Sequence, residues 1–284
     1  MAFSSDAQAA QQVQDRLNAL YTLVHEVEQK RQQSENGLIP IMKMQDEKTQ
    51  HNQSKLKALY KAALSHAEQE EELLREALEK IVEIRNIKNE RRIKSRMGGN
   101  KQMMRKTSCF SMLQNHAETL PLYVGKPGEK PPPLCGAIPA ESNYTAKVGD
   151  MVATFVDTAD MNDWILAEVV SYQHSTNKYE VDDILLEQNQ KKRHTISKKF
   201  VVPLPLMRAN PETDPEALFP QGTIVMALYP GTSCLYIGVV RKAPQKHTDE
   251  YEVLFYDENC TKGYSCPMSV AQRYIIAVKQ KSKS

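Results

Sequence analysis

The run Thr223-Ile224-Val225-Met226-Ala227-Leu228-Tyr229-Pro230-Gly231-Thr232-Ser233-Cys234-Leu235-Tyr236-Ile237-Gly238-Val239-Val240 decides the fold of the C-terminal half of this chain. It reads as strand, turn, strand, because β-branched and aromatic residues flank a Pro-Gly dipeptide on both sides. A third strand follows at Tyr251-Glu252-Val253-Leu254-Phe255-Tyr256-Asp257, which alternates with period two. Gln272-Arg273-Tyr274-Ile275-Ile276-Ala277 closes the unit. Tyr and Phe gather at the strand ends with acids beside them. Aromatic faces carry negative quadrupole density, so three of them around a cavity can hold a soft, poorly hydrated quaternary ammonium.

Working outward, the same plan occurs once before. Met151-Val152-Ala153 parallels Thr223 to Tyr229, Ile165-Leu166-Ala167-Glu168-Val169-Val170 parallels Cys234 to Val240, and Lys178-Tyr179-Glu180-Val181-Asp182-Asp183 parallels Tyr251 to Asp257. Phe200-Val201-Val202-Pro203 closes this earlier unit, with a turn expected from Asp157 to Asp163. The duplication has a period of about 75 residues. Short β-rich runs, each bounded by Asn, Asp, Ser or Gly, argue small barrels of the Tudor-like (SH3-like) kind. One repeat is expected over 144–206, a second over 207–279, and a basic tail over 280–284. The turn and short helix expected from Asn210 to Phe219 predict that the two barrels pack against each other.

The N-terminal half reads as helix. From about Asp6 to Arg96 the only breakers are Gly37 and Pro40, and Gln, Glu, Lys, Arg, Ala and Leu dominate. Apolar residues recur at Leu17, Leu20, Val24, Val27, Leu38 and Ile41, a three–four alternation with Arg31 and Ser34 as interruptions. A second series runs Leu56, Tyr60, Ala63, Ala67, Leu74, Ala77, Ile81 and Ile84, interrupted by Glu70. Gly37 and Pro40 predict a break between them. Such a stripe needs a packing partner. One reading is an antiparallel hairpin closed on itself. The favoured reading is a coiled-coil docking region over 1–96 that pairs with helices of another subunit.

Residues 97–143 change character. Met97-Gly98-Gly99-Asn100 ends the helical stretch, and Pro131-Pro132-Pro133 reads as a stiff, extended spacer. The fold class expected is therefore α plus all-β: N-terminal coiled-coil helices, a linker, then two packed barrels.

The 284 residues carry a net charge of +2, which excludes a strong electrostatic case for nucleic acid. Basic runs at Arg91 to Arg96, Lys191 to His194 and Lys279 to Lys283 read as solvated surface, with nuclear import or contact with acidic chromatin as the other reading. The five cysteines form no C-x-x-C pair and no zinc spacing, which fits reduced thiols in the cytosol or nucleus. Neither a leader nor a membrane span is expected. With no phosphate loop, G-x-S-x-G or H-E-x-x-H, neither an enzyme nor a cofactor or metal site is expected.

Four segments carry a more specific resemblance: Pro131 to Ala140, Trp164 to Tyr172, Asn177 to Ile184, and Ala209-Asn210-Pro211-Glu212-Thr213-Asp214-Pro215-Glu216-Ala217-Leu218-Phe219. Together they closely resemble the SAGA-associated factor 29 family, and the likeness extends over nearly the whole chain. It implies a nuclear, non-enzymatic subunit of a SAGA-type histone acetyltransferase complex. Its tandem Tudor domain would read the histone H3 tail trimethylated on its fourth residue, a lysine, and its N-terminal helices would meet other subunits. Carried over by motif, the cage is Tyr229, Tyr236 and Phe255, although a Tyr or Phe in a small barrel is more often core. Asp257, two residues beyond Phe255, shares its strand face and can add attraction for the cation. The resemblance assigns the peptide's free amine to the first repeat, where Asp182 and Asp183 can capture it by charge-assisted hydrogen bonds. The family's acidic run extends past the isoleucine, but here Leu185 and Leu186 follow Ile184, with Glu187 beyond. Ser233 offers a small hydroxyl to peptide backbone. A methylarginine- or RNA-binding Tudor protein, or a coiled-coil scaffold with silent barrels, are the alternatives.

Overall fold

The structure, a computed structural model, describes residues 2–46, 53–97, 106–126, 128–158, 161–185, 193–261 and 263–278. The chain divides into two compact units, Met1–Lys101 and Gln102–Ser284. Lys191, Lys192, Glu187 and the 280–284 tail lie outside the described residues.

The first unit is two helices, α1 (Ala2–Asp46) and α2 (Gln53–Met97). They run antiparallel: Arg16 Nε reaches Glu83 at 2.9 Å, Lys30 Nζ donates to Gln69 at 2.9 Å, and Gln45 donates to the Tyr60 hydroxyl. Within this chain the hairpin is thus formed. The break expected at Gly37 and Pro40 is absent, and α1 continues through Pro40. Packing supplies the stability that a proline in an isolated helix would remove.

The seam differs from the expected one by one heptad position. On α1 the covered residues are Leu20, Val27, Ser34 and Ile41 alternating with Arg16, Leu23, Lys30 and Gly37; Leu17, Val24 and Leu38 are exposed. On α2, Leu56, Ala63, Glu70, Ala77 and Ile84 alternate with Leu59, His66, Leu73 and Lys80, while Tyr60, Leu74 and Ile81 are exposed. Apolarity alone does not choose between two stripes that share every other residue. Cross-helix partners do, since Arg16 and Lys30 find Glu83 and Gln69.

The second unit opens with α3 (Lys106–Glu118). The first repeat holds β1 (Met151–Thr158), β2 (Met161–Gln173), β3 (Lys178–Asp183), β4 (Arg193–Ser197) and β5 (Val201–Pro203). The second holds β6 (Ile224–Leu228), β7 (Cys234–Lys242), β8 (Tyr251–Phe255), β9 (Met268–Val270) and β10 (Ile275–Ala277). The strand orders are β4-β3-β2-β1-β5 and β9-β8-β7-β6-β10, all pairings antiparallel. The duplication is therefore real in topology, and it extends to detail. Each repeat has a register shift on its second strand (Val169/Ser171, Val240/Lys242) and a 3-10 turn before its last strand (Lys198–Phe200, Gln272–Tyr274). Each also buries a tyrosine whose hydroxyl accepts a backbone N–H from the preceding segment. Ala146 N–H donates to Tyr179 and Phe219 N–H to Tyr251, both at 3.0 Å.

The two repeats are joined through their second strands. β2 is long enough to pair first with β7, through Trp164↔Leu235 and Ile165↔Cys234, and then with β3. One ten-stranded sheet results. The turn expected over 157–163 is mostly strand, because β1 and β2 pair out to Thr158↔Met161. The larger core mixes both repeats, with Met151, Ala153 and Leu166 packed among Val225, Leu235, Val253 and Phe255. The smaller core belongs to the first repeat and holds Val152, Val169, Tyr179 and Val181.

The proline-rich segment is not a spacer. Leu113, Leu134 and Cys135 are buried, and Cys135 is fully enclosed. Gly136 N–H donates to Met207 O at 3.0 Å and Ala137 N–H to Ala217 O at 2.7 Å. These bonds tie the segment to the connection between the repeats, where the Gln272 side chain also exchanges two hydrogen bonds with the Ala209 backbone. A sequence with three prolines offers few donors, so the donors that remain settle where it lies.

Candidate functional site: one face across two repeats

The turn that ends β6 places the first ring. Thr232 N–H donates to Tyr229 O at 3.1 Å, closing a turn with Pro230 second and Gly231 third at φ 79°. That is the type II arrangement, which needs a positive φ at its third position. Tyr229 N–H then donates to Cys234 O at 3.0 Å, so Tyr229 stands across from Cys234. Tyr236 lies two residues along β7, on the same side. Phe255 pairs with Gly238, two further on. Strand alternation thus brings Tyr229, Tyr236 and Phe255 to one face.

The three rings touch. Tyr229 and Tyr236 have centroids 5.8 Å apart at 86°, and Tyr229 and Phe255 are 5.0 Å apart at 61°. Tyr236 is 42% exposed, Tyr229 is half-buried, and Phe255 is only 2% exposed. Two tyrosines therefore form a right-angled corner open to solvent. Phe255 packs beneath Tyr229, in the core.

The same face continues into the first repeat. Asp183 pairs with Ala167, which lies four residues along β2 from Asp163. Its Oδ1 accepts the Leu185 N–H at 2.9 Å. Asp182 points to the opposite face and is held by Arg193, Nε to Oδ1 at 2.8 Å. That bond raises the Arg193 pKa above its ordinary value. The two adjacent acids expected to act together are divided by the strand's pleat.

Ser233 and Asp257 are both engaged within the fold. Ser233 is 4% exposed and its carbonyl accepts the Leu166 N–H at 2.8 Å, so it holds the β2–β7 junction. Asp257 caps its own loop: Oδ1 accepts the Asn259 N–H at 2.9 Å and Oδ2 the Cys260 thiol at 3.3 Å. Those bonds, the backbone one first, hold its carboxyl below the usual carboxylate range.

Asp163 and Cys234 belong to this face and were not singled out by sequence reasoning. Burial, followed by the Asp163 charge, raises the Cys234 thiol above its ordinary range; burial, Cys234 and Asp163 do the same to the Tyr236 hydroxyl. Only the pairing of β2 with β7 brings Asp163 here, and no motif announces that pairing. Among the described residues no group of His, Cys, Asp and Glu is placed to hold a metal ion.

The sequence matches other proteins over most of its length. Residues 148–279 match the family model described as the SGF29 tudor-like domain, the span of the sheet just described. A Drosophila melanogaster protein named SAGA-associated factor 29kDa is 52% identical over 276 residues, covering 97% of this chain and 93% of its own length. The chain belongs to the SAGA-associated factor 29 family. SAGA-associated factor 29 homologs B and A of Arabidopsis thaliana are 32% and 31% identical over 124 residues, 40% of this chain and 44% of each relative. The family's model describes a Tudor-like domain, and its named relative is a SAGA-associated factor.

Proposed function

We propose that this protein is a nuclear chromatin reader. It binds the N-terminal tail of histone H3 trimethylated on its fourth residue and links a SAGA-type histone acetyltransferase complex to chromatin so marked. The observation that carries the reading is the single sheet face holding Tyr229, Tyr236, Phe255 and Asp183. The methylammonium enters the tyrosine corner by cation–π attraction. The free amine of the tail meets Asp183. Four residues of β2 separate Asp163, beside Tyr236, from Ala167, beside Asp183, which is about 13 Å of strand. An extended peptide with the amine on its first residue and the lysine on its fourth spans about 10 Å over three residue steps, and the lysine side chain supplies the remaining reach.

The helical unit is the attachment. In an antiparallel pair like heptad positions flank the seam together, as the Gln45–Tyr60 contact displays. Leu17, Val24 and Leu38 of α1 therefore share one flank with Tyr60, Leu74 and Ile81 of α2, all exposed. Tyr21, Met42, Leu64 and Leu78 widen it. An apolar flank of this length suits a helix of another SAGA-type subunit.

The test is calorimetric titration of the whole protein with H3 tail peptides, unmodified and trimethylated on the fourth residue, with Tyr236→Ala alongside. Tighter binding of the methylated peptide, lost in the variant, is the expected result. Equal binding of both peptides by the wild-type protein would sink the reading.

A further inference from the structure

The rings of the site come from the second repeat, but the nearest acid on their face comes from the first. β2 and β7 pair through Trp164↔Leu235 and Ile165↔Cys234. One step further along this antiparallel ladder sets Asp163 across from Tyr236, with both side chains on the same face. Asp163 and Tyr236 are both exposed at this end of the ladder. On that register the carboxylate lies beside the Tyr236 ring, and its charge adds to burial in raising the Tyr236 hydroxyl. Among the described residues no side-chain hydrogen bond or ion pair holds the Asp163 carboxylate, although its backbone pairs with Val156. Asp257, the acid that sequence places beside the rings, spends both oxygens on Asn259 and Cys260.

We infer that Asp163 is the anionic wall of the cage, so that the methyl-lysine site is composite, with its rings from one repeat and its carboxylate from the other. This rests on the methyl-lysine reading above. Two consequences follow from the chemistry. A carboxylate at the ring edge attracts any methylated ammonium, because rings alone leave the cation without a counter-charge. It also accepts a hydrogen bond, directly or through water, from the N–H that a dimethylammonium keeps and a trimethylammonium lacks. Asp163 therefore narrows the gap between the two methylation states and lets the site take the dimethylated tail as well.

The experiment titrates the full-length wild type, Asp163→Asn, Asp257→Asn and Tyr236→Ala with H3 tail peptides unmodified, dimethylated and trimethylated on the fourth residue. Asp163→Asn is expected to weaken the trimethylated peptide roughly threefold and the dimethylated one roughly tenfold. Asp257→Asn is expected to change the two peptides equally and by less. Asparagine is isosteric and the side chain is exposed, so the fold is not at risk, and an unchanged melting temperature checks this. If Asp163→Asn binds both methylated peptides as wild type does while Tyr236→Ala loses them, the cage stands and the role of Asp163 is overturned. A larger effect of Asp257→Asn on the dimethylated peptide also overturns it. A wild type that ignores methylation overturns the underlying reading as well.

Discussion

Arg193 grips Asp182 with two parallel hydrogen bonds, Nε to Oδ1 at 2.8 Å and Nη2 to Oδ2 at 3.3 Å, on the sheet face turned away from Asp183. The neighbouring acids therefore have different partners. Asp183→Asn should weaken an H3 tail with a free N-terminal amine several-fold and leave an N-acetylated tail unchanged. Asp182→Asn should treat the two tails alike. It should cost less than about 1 kcal/mol of stability, since Arg193 is half exposed. Titrating both variants with the acetylated and free peptides checks the division.

The three rings should separate by burial. Tyr236→Ala removes an exposed ring and is expected to abolish methyl-dependent binding while shifting stability by less than about 1 kcal/mol. Phe255→Ala empties a core position at 2% exposure and should cost about 3–5 kcal/mol. Thermal melts run beside the titrations distinguish a lost ligand wall from a lost core.

Gly136 has a φ of 53°, and a Cβ there would lie 2.4 Å from Ala217 O and 2.8 Å from Ala209 Cβ. Neither backbone nor a small neighbour can retreat far. Gly136→Ala should therefore destabilise the second unit by about 2 kcal/mol or more. A denaturant melt followed by Trp164 fluorescence measures it. A wild-type midpoint would mean that the proline-rich segment is not a core element.

The helical hairpin should tolerate polar residues on its flank and reject them in its seam. Leu17→Gln with Leu78→Gln, both at exposed positions, is expected to preserve helicity and abolish association with a SAGA-type complex. Ile41→Gln, at 4% exposure, should lower helicity and melting temperature. Circular dichroism and co-purification of the two variants make the comparison.

Thiol reactivity should follow burial. Cys109 and Cys135 are 2% and 0% exposed, and burial, with the Asp214 charge adding to it, pushes the Cys135 thiol up to about 12. Cys266 is exposed. Iodoacetamide at neutral pH should label Cys266 first and leave Cys109 and Cys135 unmodified until the chain unfolds. Mass spectrometry of the digested protein reads the order.

Strand alternation and turn chemistry were legible along the chain, because both are local: Pro230-Gly231 made the turn, and the recurring Tyr-x-Val strands made the duplication visible. The helical character of residues 2–97 was equally plain. By themselves these residues determined two repeats and a helical half, while the three aromatics were singled out by the family resemblance. Tertiary structure decided the rest, since each remaining question was which of two equivalent surfaces meets a partner. Leu17 and Leu23 are both apolar, and only the opposing α2 selects Leu23 for the seam. Asp182 and Asp183 are adjacent, and only the pairing of β3 with β2 and β4 sends one to Arg193 and the other to the cage face. The pairing of Trp164 with Leu235 joins segments distant in sequence, and through it Asp163 of one repeat comes onto the sheet face of Tyr236 in the other.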